Sequence, residues 1–579
     1  MSRRTVAQIA ALSLTISVIP LVAPQVTARA DTDPVTVATP NMEWVATVAY
    51  ATREGYESPR FADDAGLIPL DSSFGTDLEV ASWTVDHDGG RVERDFVVAG
   101  SYRNGMQLID VTDPEQPVIA QTFDCGIAQG DVQIFQRVVD GQTRTYAAYG
   151  QDDISGDRLL DTECFRQGLE QEGYTGSGTE GDASVIDAEG GVSGTFIFDI
   201  TEPYHQPDNT NPVRVVGWAR WPTGSHNTTV DPTGRYIYNS NQDLLPANVP
   251  GDGKSAFQIE VFDIGEPDPT TGNFDVELAG SVQLDTGLGP HDITFNEVGD
   301  RAYVAAISHT VVLDTSEPAQ PEVIGVIEDP AISIHHQADP IPVHDPLLGE
   351  RVFLVISDEL AGVIQGAGAC PGGGLHVYDV TGDLERTPVK VGYFAIPQTE
   401  PATQYHLRCT AHVFRTYDTD GDGGHDVMTI AWYGAGVRVI DLNGLAGASV
   451  GASGVGSLGT APVTGMREIG SIYLPEISTV DADGNRIVEQ DGSQTWSAKV
   501  LEWEDDGSAF IFANDLDRGF EVYRFDGTRP SGPGGTWLGP DAALELASER
   551  GVLSARTAGV RYTPYCVVLP QGVEGYETI

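Results

Sequence analysis

The chain is built from short runs in which apolar and polar residues alternate, the period of a half-buried β-strand, separated by clusters of Gly, Pro, Asp and Asn. The most regular run ends in Asp and a turn. Its clearest copy is Met106-Gln107-Leu108-Ile109-Asp110-Val111-Thr112-Asp113-Pro114. Further copies span Thr195–Pro203, Ile259–Ile264, Val311–Pro318, Leu375–Val380 and Val437–Leu442, with a looser one at Phe520–Asp526. A more wholly apolar strand precedes each, as at Phe96–Ala99, Tyr236–Tyr238, Val352–Ile356 and Phe510–Phe512. A further strand follows, as at Val323–Ile327.

Each unit opens on one more short strand, and four of the seven units place histidine at its start: His226, His291, the adjacent pair His335 and His336, and His412. Four strands per unit, seven units and few helical patterns predict an all-β chain, a seven-bladed β-propeller with four-stranded antiparallel blades. The blades fall at about 77–122, 130–220, 224–284, 289–328, 334–396, 410–475 and 496–526. The last lacks an obvious fourth strand, which Trp44–Ala49 could supply to close the ring. The domain reading is a signal peptide over 1–30, an N-terminal segment over 31–76, the propeller over 77–528 and an extension over 529–579.

In an up-and-down blade the loops before the first strand share a face with those joining the second strand to the third. The histidines therefore share a face, at the channel mouth, with the long insertions 151–193, 241–256 and 357–373, and long loops on one face build sites. The same register puts Cys125 near Cys164 and Cys370 near Cys409, predicting two disulfides with Cys566 left over.

Composition narrows the partners. The formal charge of −53, with lysine only at 254, 390 and 499, excludes nucleic acid and anionic membranes. A small-molecule ligand or an extracellular protein remains. Arg3 and Arg4, the apolar stretch Val6–Val22 and Ala28-Arg29-Ala30 read as a secretory signal, with a hint of twin-arginine export. No second long apolar run follows, so no membrane span is expected.

Imidazoles converging at a narrow opening suit a transition metal such as Zn, Cu or Fe. That makes His226, His291, His335, His336 and His412 the candidate ligands, and His406 could join from a loop. Adjacent residues of a strand point to opposite faces, so only one of His335 and His336 should enter the channel. Asp131, Asp292, Asp358 and Glu359 stand nearby as possible bases or supports. In Asp418-Thr419-Asp420-Gly421-Asp422-Gly423-Gly424-His425-Asp426, oxygen ligands alternate with glycines that permit a tight turn, which suits Ca²⁺. Asp418, Asp420, Asp422 and Asp426 would bind through side chains and Gly424 through its carbonyl. No nucleotide-binding or serine-hydrolase motif is present.

The strands Leu108-Ile109-Asp110-Val111-Thr112-Asp113-Pro114 and Val439-Ile440-Asp441-Leu442 resemble those of the LVIVD-repeat proteins, which implies the propeller more than any activity. The histidine layout looks loosely like that of the selenium-binding protein and methanethiol oxidase propellers, implying a channel metal. The Asp/Gly loop is similar to the calcium hairpins of FG-GAP repeats. Two functions follow as expectations: a metal-dependent oxidoreductase or hydrolase acting on a small molecule, or a non-catalytic secreted binding propeller with structural calcium.

Overall fold

The computed structural model describes residues 33–50, 75–125, 130–151, 162–171, 194–204, 213–220, 225–240, 258–284, 289–359, 373–396, 410–447, 465–530, 534–539 and 545, apart from 88, 102–103, 347 and 483–485. The expectations placed on His406, Cys370, Cys409, Cys566, residues 1–30 and most of the long insertions lie outside these residues.

Seven antiparallel sheets of four or five strands stand in chain order, with one additional two-stranded hairpin at Ile477–Val480 and Arg486–Gln490. We letter the strands of each blade A to D from the channel outward. Blade 3, for example, runs Asn227–Val230, Tyr236–Ser240, Gln258–Asp263 and Glu277–Gln283. The ring closes through the N-terminal segment. Met42–Val48 pairs antiparallel with Gly519–Phe525 as the outer strand of blade 7, the role expected of Trp44–Ala49. Just before it, Val37–Ala38 adds a fifth strand to blade 6, so one short stretch of chain clasps two blades. At the other end Thr536–Leu538 adds a fifth strand to blade 5 by pairing with Val389–Ala395. These additions cover edges that would otherwise expose unpaired backbone groups.

The core lies between blades. Trp83, Phe96, Phe196 and Trp218 pack between blades 1 and 2, while Val48, Leu78, Val97 and Phe520 close the junction of blades 7 and 1. A sheet buried on both faces needs apolar residues on both, which is why the middle strands, such as Val352–Ile356, read as continuous apolar runs. Cys125 and Cys164 form a disulfide in blade 2, as the register predicts.

The Asp that ends strand C has the same work in every blade. Its carboxylate accepts the amide two residues on: Thr112 at 2.9 Å, Thr201 at 3.1 Å, Gly265 at 2.8 Å, Ser316 at 3.0 Å, Thr381 at 3.0 Å, Asn443 at 2.9 Å and Thr528 at 2.8 Å. In several blades an arginine on strand B faces the same carboxylate, Arg94 on Asp110 at 3.1 Å and Arg144 on Asp199 at 2.8 Å. In those blades the turn is tied to the neighbouring strand as well as to itself.

Candidate metal centre

The four consecutive blades that begin with histidine bring their rings into one row. Ring centroids of His226 and His291 are 4.5 Å apart, those of His291 and His336 4.3 Å, and those of His336 and His412 4.3 Å. The row ends on aromatic walls, Tyr433 at 4.4 Å and Trp496 at 4.7 Å from His412. His226 and His291 meet through their Nε2 atoms at 3.0 Å. The row is buried: the four histidines are at most 2% exposed.

Of the adjacent pair, His336 joins the row. His335 turns to the opposite face, into the junction of blades 4 and 5, where its Nδ1 meets Thr310 Oγ1 at 2.8 Å. The structure therefore separates His335 from the other candidate ligands.

Glu359 completes the donor set. It is fully buried at the end of strand B in blade 5. Its Oε2 lies 3.7 Å from His336 Nε2, and its Oε1 lies 3.9 Å from His412 Nε2. All three donor atoms fall within 4.8 Å of one another. An ion about 2.1 Å from each donor in a tetrahedral site needs separations of ~3.4 Å, so the residues fit a metal after a small contraction. Two histidines and one carboxylate suit Zn²⁺ or non-haem Fe²⁺.

Hydrogen bonding prepares the imidazoles as ligands. His291 Nδ1 contacts the His336 carbonyl at 2.9 Å, and His412 Nδ1 the Trp496 carbonyl at 2.5 Å. A carbonyl oxygen only accepts, so each Nδ1 carries the proton and each Nε2 keeps its lone pair. The buried His412 Nε2 has no hydrogen-bond partner. Burial pushes His226 and His412 down to about 3, and His291 and His336 well below the usual histidine range, with the neighbouring imidazoles adding to burial for the last two. The row is therefore neutral at physiological pH, the state in which imidazole binds metal.

Two further residues hold Glu359. Tyr433 donates its hydroxyl to Glu359 Oε1 at 2.8 Å. Its backbone has a φ of 39°, a conformation a bulky residue adopts only when its surroundings impose it. Paired backbone bonds with Thr495, at 3.2 Å each way, do so here. Asp358 faces away from Glu359 and accepts the amides of Ser333 at 3.1 Å and Ile334 at 2.9 Å, fixing the strand that carries His336. Sequence reasoning placed Glu359 among the supporting acids and missed Tyr433. The only signal for the latter was a tight turn at Tyr433-Gly434-Ala435-Gly436.

The other acids hold the blades together. Asp131 Oδ2 accepts the Thr228 amide of the next blade at 2.7 Å, and Asp292, which accepts the amide of its own neighbour Ile293 at 2.8 Å, also bonds the Asn227 side chain of blade 3. In blade 6 the Asp/Gly loop joins strand A, Phe414–Tyr417, to strand B, Val427–Ala431. It brings Asp418, Asp420 and Asp422 together, with Gly421 and Gly423 at φ 75° and 89° making the turn. Asp426 points elsewhere: Thr419 donates to it from its amide and hydroxyl at 2.8 Å, and Arg529 at 2.8 Å. A larger groove of about 1050 Å³ between blades 1 and 2 holds paired charges, such as Arg144 with Asp199 at 2.8 Å, and contains no histidine.

No protein-family model matches the chain, and no curated protein matches it. It is similar to the solved structure of Sqt1 from Chaetomium thermophilum, at 12% identity and a TM-score of 0.38 over 74% of this chain and 80% of that one. It is also similar to a protein from Lactobacillus plantarum, at 11% identity and a TM-score of 0.30 over 59% of this chain and 95% of that one. A functionally unknown protein from Desulfotomaculum acetoxidans matches at 14% identity and a TM-score of 0.32, over 68% and 88% of the two chains. At these scores the likenesses carry no argument, and the fold rests on the strand pairing described above.

Proposed function

We propose that this chain is an exported propeller metalloprotein in which His336, His412 and Glu359 hold a transition metal, and that it acts as an oxidoreductase on a small molecule. The observation that carries this reading is the buried His412 Nε2, freed of its proton by the Trp496 carbonyl and set beside Glu359. Native proteins rarely leave such a buried atom without a partner. When bound, the metal would supply a Lewis-acid or redox centre. Glu359 would balance its charge, Tyr433 would hold the carboxylate in place, and burial would exclude bulk water. The loose likeness of the histidine layout to the selenium-binding protein and methanethiol oxidase propellers supports the same reading. Incubation of the metal-free chain with Zn²⁺, Co²⁺ or Fe²⁺ tests it. One equivalent bound in the wild type and none in H336A/H412A is the expected result; binding unchanged in the double variant would refute the reading.

We assign a structural Ca²⁺ to Asp418, Asp420 and Asp422, supported by their convergence on a glycine turn and by the resemblance to FG-GAP hairpins. Asp420→Ala should lower the melting temperature in calcium and abolish the fall that EDTA causes in the wild type. Equal EDTA sensitivity of the two chains would contradict the assignment.

A further inference from the structure

A cavity of about 260 Å³ runs along the propeller axis, and the first strand of every blade contributes to its wall. It has room for roughly eight or nine waters at about 30 Å³ each. His336, His412 and Trp496 are part of that wall, and Glu359 is not. The carboxylate stands behind the two histidines, with Oε2 3.7 Å from His336 Nε2 and Oε1 3.9 Å from His412 Nε2. Glu359 and the Nε2 atom of His412 are buried. The proposed ion would therefore be enclosed by its donors, while other atoms of the same histidines face the cavity.

Such a wall stops atoms and passes electrons. Two imidazoles and both oxygens of the carboxylate make four donors, enough to fill a tetrahedral shell. A substrate atom then has no position to take. An electron needs none, since electron-transfer sites hold their ion with side chains and pass charge through the ligands. Trp496 extends that route. Its ring lies 4.7 Å from the His412 ring, and its carbonyl accepts a hydrogen bond from His412 Nδ1 at 2.5 Å.

The cavity offers little to a charged visitor. Arg415 and Lys499 are committed to Glu79, at 2.5 and 2.6 Å. Burial pushes Asp131 well up, Asp292 to about 7 and Asp339 to about 6, toward the uncharged form. Phe295, Phe414 and Trp496 give the wall aromatic surface. Paired charges and ring surfaces suit an uncharged aromatic molecule bearing hydroxyl groups.

We infer that the proposed metal exchanges electrons, not atoms, with the axial cavity, through His412 and Trp496, and that its partner there is an uncharged aromatic one-electron donor of the hydroquinone class. With iron as the ion, the donor loses one electron, Fe³⁺ becomes Fe²⁺, and no bond to the metal forms or breaks. The proton that the oxidised donor releases goes to the Asp339 carboxylate on the cavity wall. The inference deepens the function proposed above and rests on it for the presence of the ion.

Azide and hydroquinone, added to the full metal-loaded chain, test it. Azide is expected to leave the visible spectrum of the Co²⁺-loaded chain unchanged, because no position is open to it. Hydroquinone is expected to bleach the ferric absorption of the Fe³⁺-loaded chain without a phenolate-to-iron band. W496L, which keeps the carbonyl that holds His412, should slow that reduction about tenfold at unchanged metal content. A Co²⁺ spectrum shifted by azide, a phenolate-to-iron band, or a ferric ion that hydroquinone does not reduce would overturn the inference and leave the metal reading standing. These wild-type measurements decide whether or not the variant folds. An unchanged rate in a folded W496L would also overturn the route. A chain that takes up neither metal would overturn the metal reading and this inference with it.

Discussion

An E359Q chain is expected to bind transition metal at least about 100-fold more weakly than the wild type, the upper end of what even indirect partners of metal ligands contribute. The substitution is nearly isosteric. The carboxamide oxygen it leaves can still accept the Tyr433 hydroxyl that now bonds to Glu359 Oε1 at 2.8 Å, so the cavity keeps its shape and only the charge is lost. That charge matters because the other two donors are neutral. His336 and His412 are held deprotonated by burial, so a divalent ion entering the site finds its only negative ligand in Glu359. The metal-free chain should change little, because the carboxamide keeps the shape of the side chain and the acceptor for the Tyr433 hydroxyl. A chelator-competition titration with Zn²⁺, paired with thermal unfolding of the metal-free forms, reads both. Loss of affinity together with a large loss of metal-free stability would mean that Glu359 serves the fold rather than a metal.

The second large effect lies at a buried ion-pair cluster on the channel wall. Glu79 of blade 1 reaches Arg415 of blade 6 and Lys499 of blade 7, joining three blades around the axis. Burial pushes its carboxyl up, but the Arg415 and Lys499 charges outweigh burial and hold it at about 2, below the ordinary 4.5. A carboxyl depressed in the folded state contributes stability above its unfolded value and loses it as pH falls. The window is therefore from about 4.5 down to about 2. E79Q should cost about 3 kcal/mol at neutral pH, the low end for breaking a buried pair, because Arg415 is 35% exposed and its share is screened. Below pH 4.5 the wild type loses this advantage while the variant does not, so their stabilities converge. Denaturant unfolding from about pH 7 to about pH 3 follows the gap. A gap that stays constant across that range would rule out Glu79 as the titrating latch.

The propeller was legible because its signals are local and periodic. An Asp that caps its own turn must recur wherever the turn recurs, and the strand that it ends recurs with it. The ring-closing strand near Trp44 was legible for the same reason, and so was the Cys125–Cys164 pair, which follows once the register is known. The fifth strands at Val37–Ala38 and Thr536–Leu538 left no such trace, since edge pairing uses backbone groups that every residue has. The histidine register was legible, but not the choice between His335 and His336. Both sit at the start of one strand, and only the position of the neighbouring blade decides which face is the channel. Glu359 follows the last residue of strand B, just where alternation stops informing direction. Its partner Tyr433 comes from a different blade, through a backbone conformation that the sequence does not announce. The Asp/Gly spacing that made Asp426 a candidate calcium ligand did not announce Thr419 and Arg529, which donate to its oxygens.

Elemental analysis of the full chain purified without chelator tests the central claim most directly. The account predicts about one transition-metal ion per chain in the wild type, retained in H335A and absent from H336A/H412A. A wild-type chain free of transition metal after exposure to Zn²⁺, Co²⁺ and Fe²⁺, or a double variant that carries as much as the wild type, would contradict it.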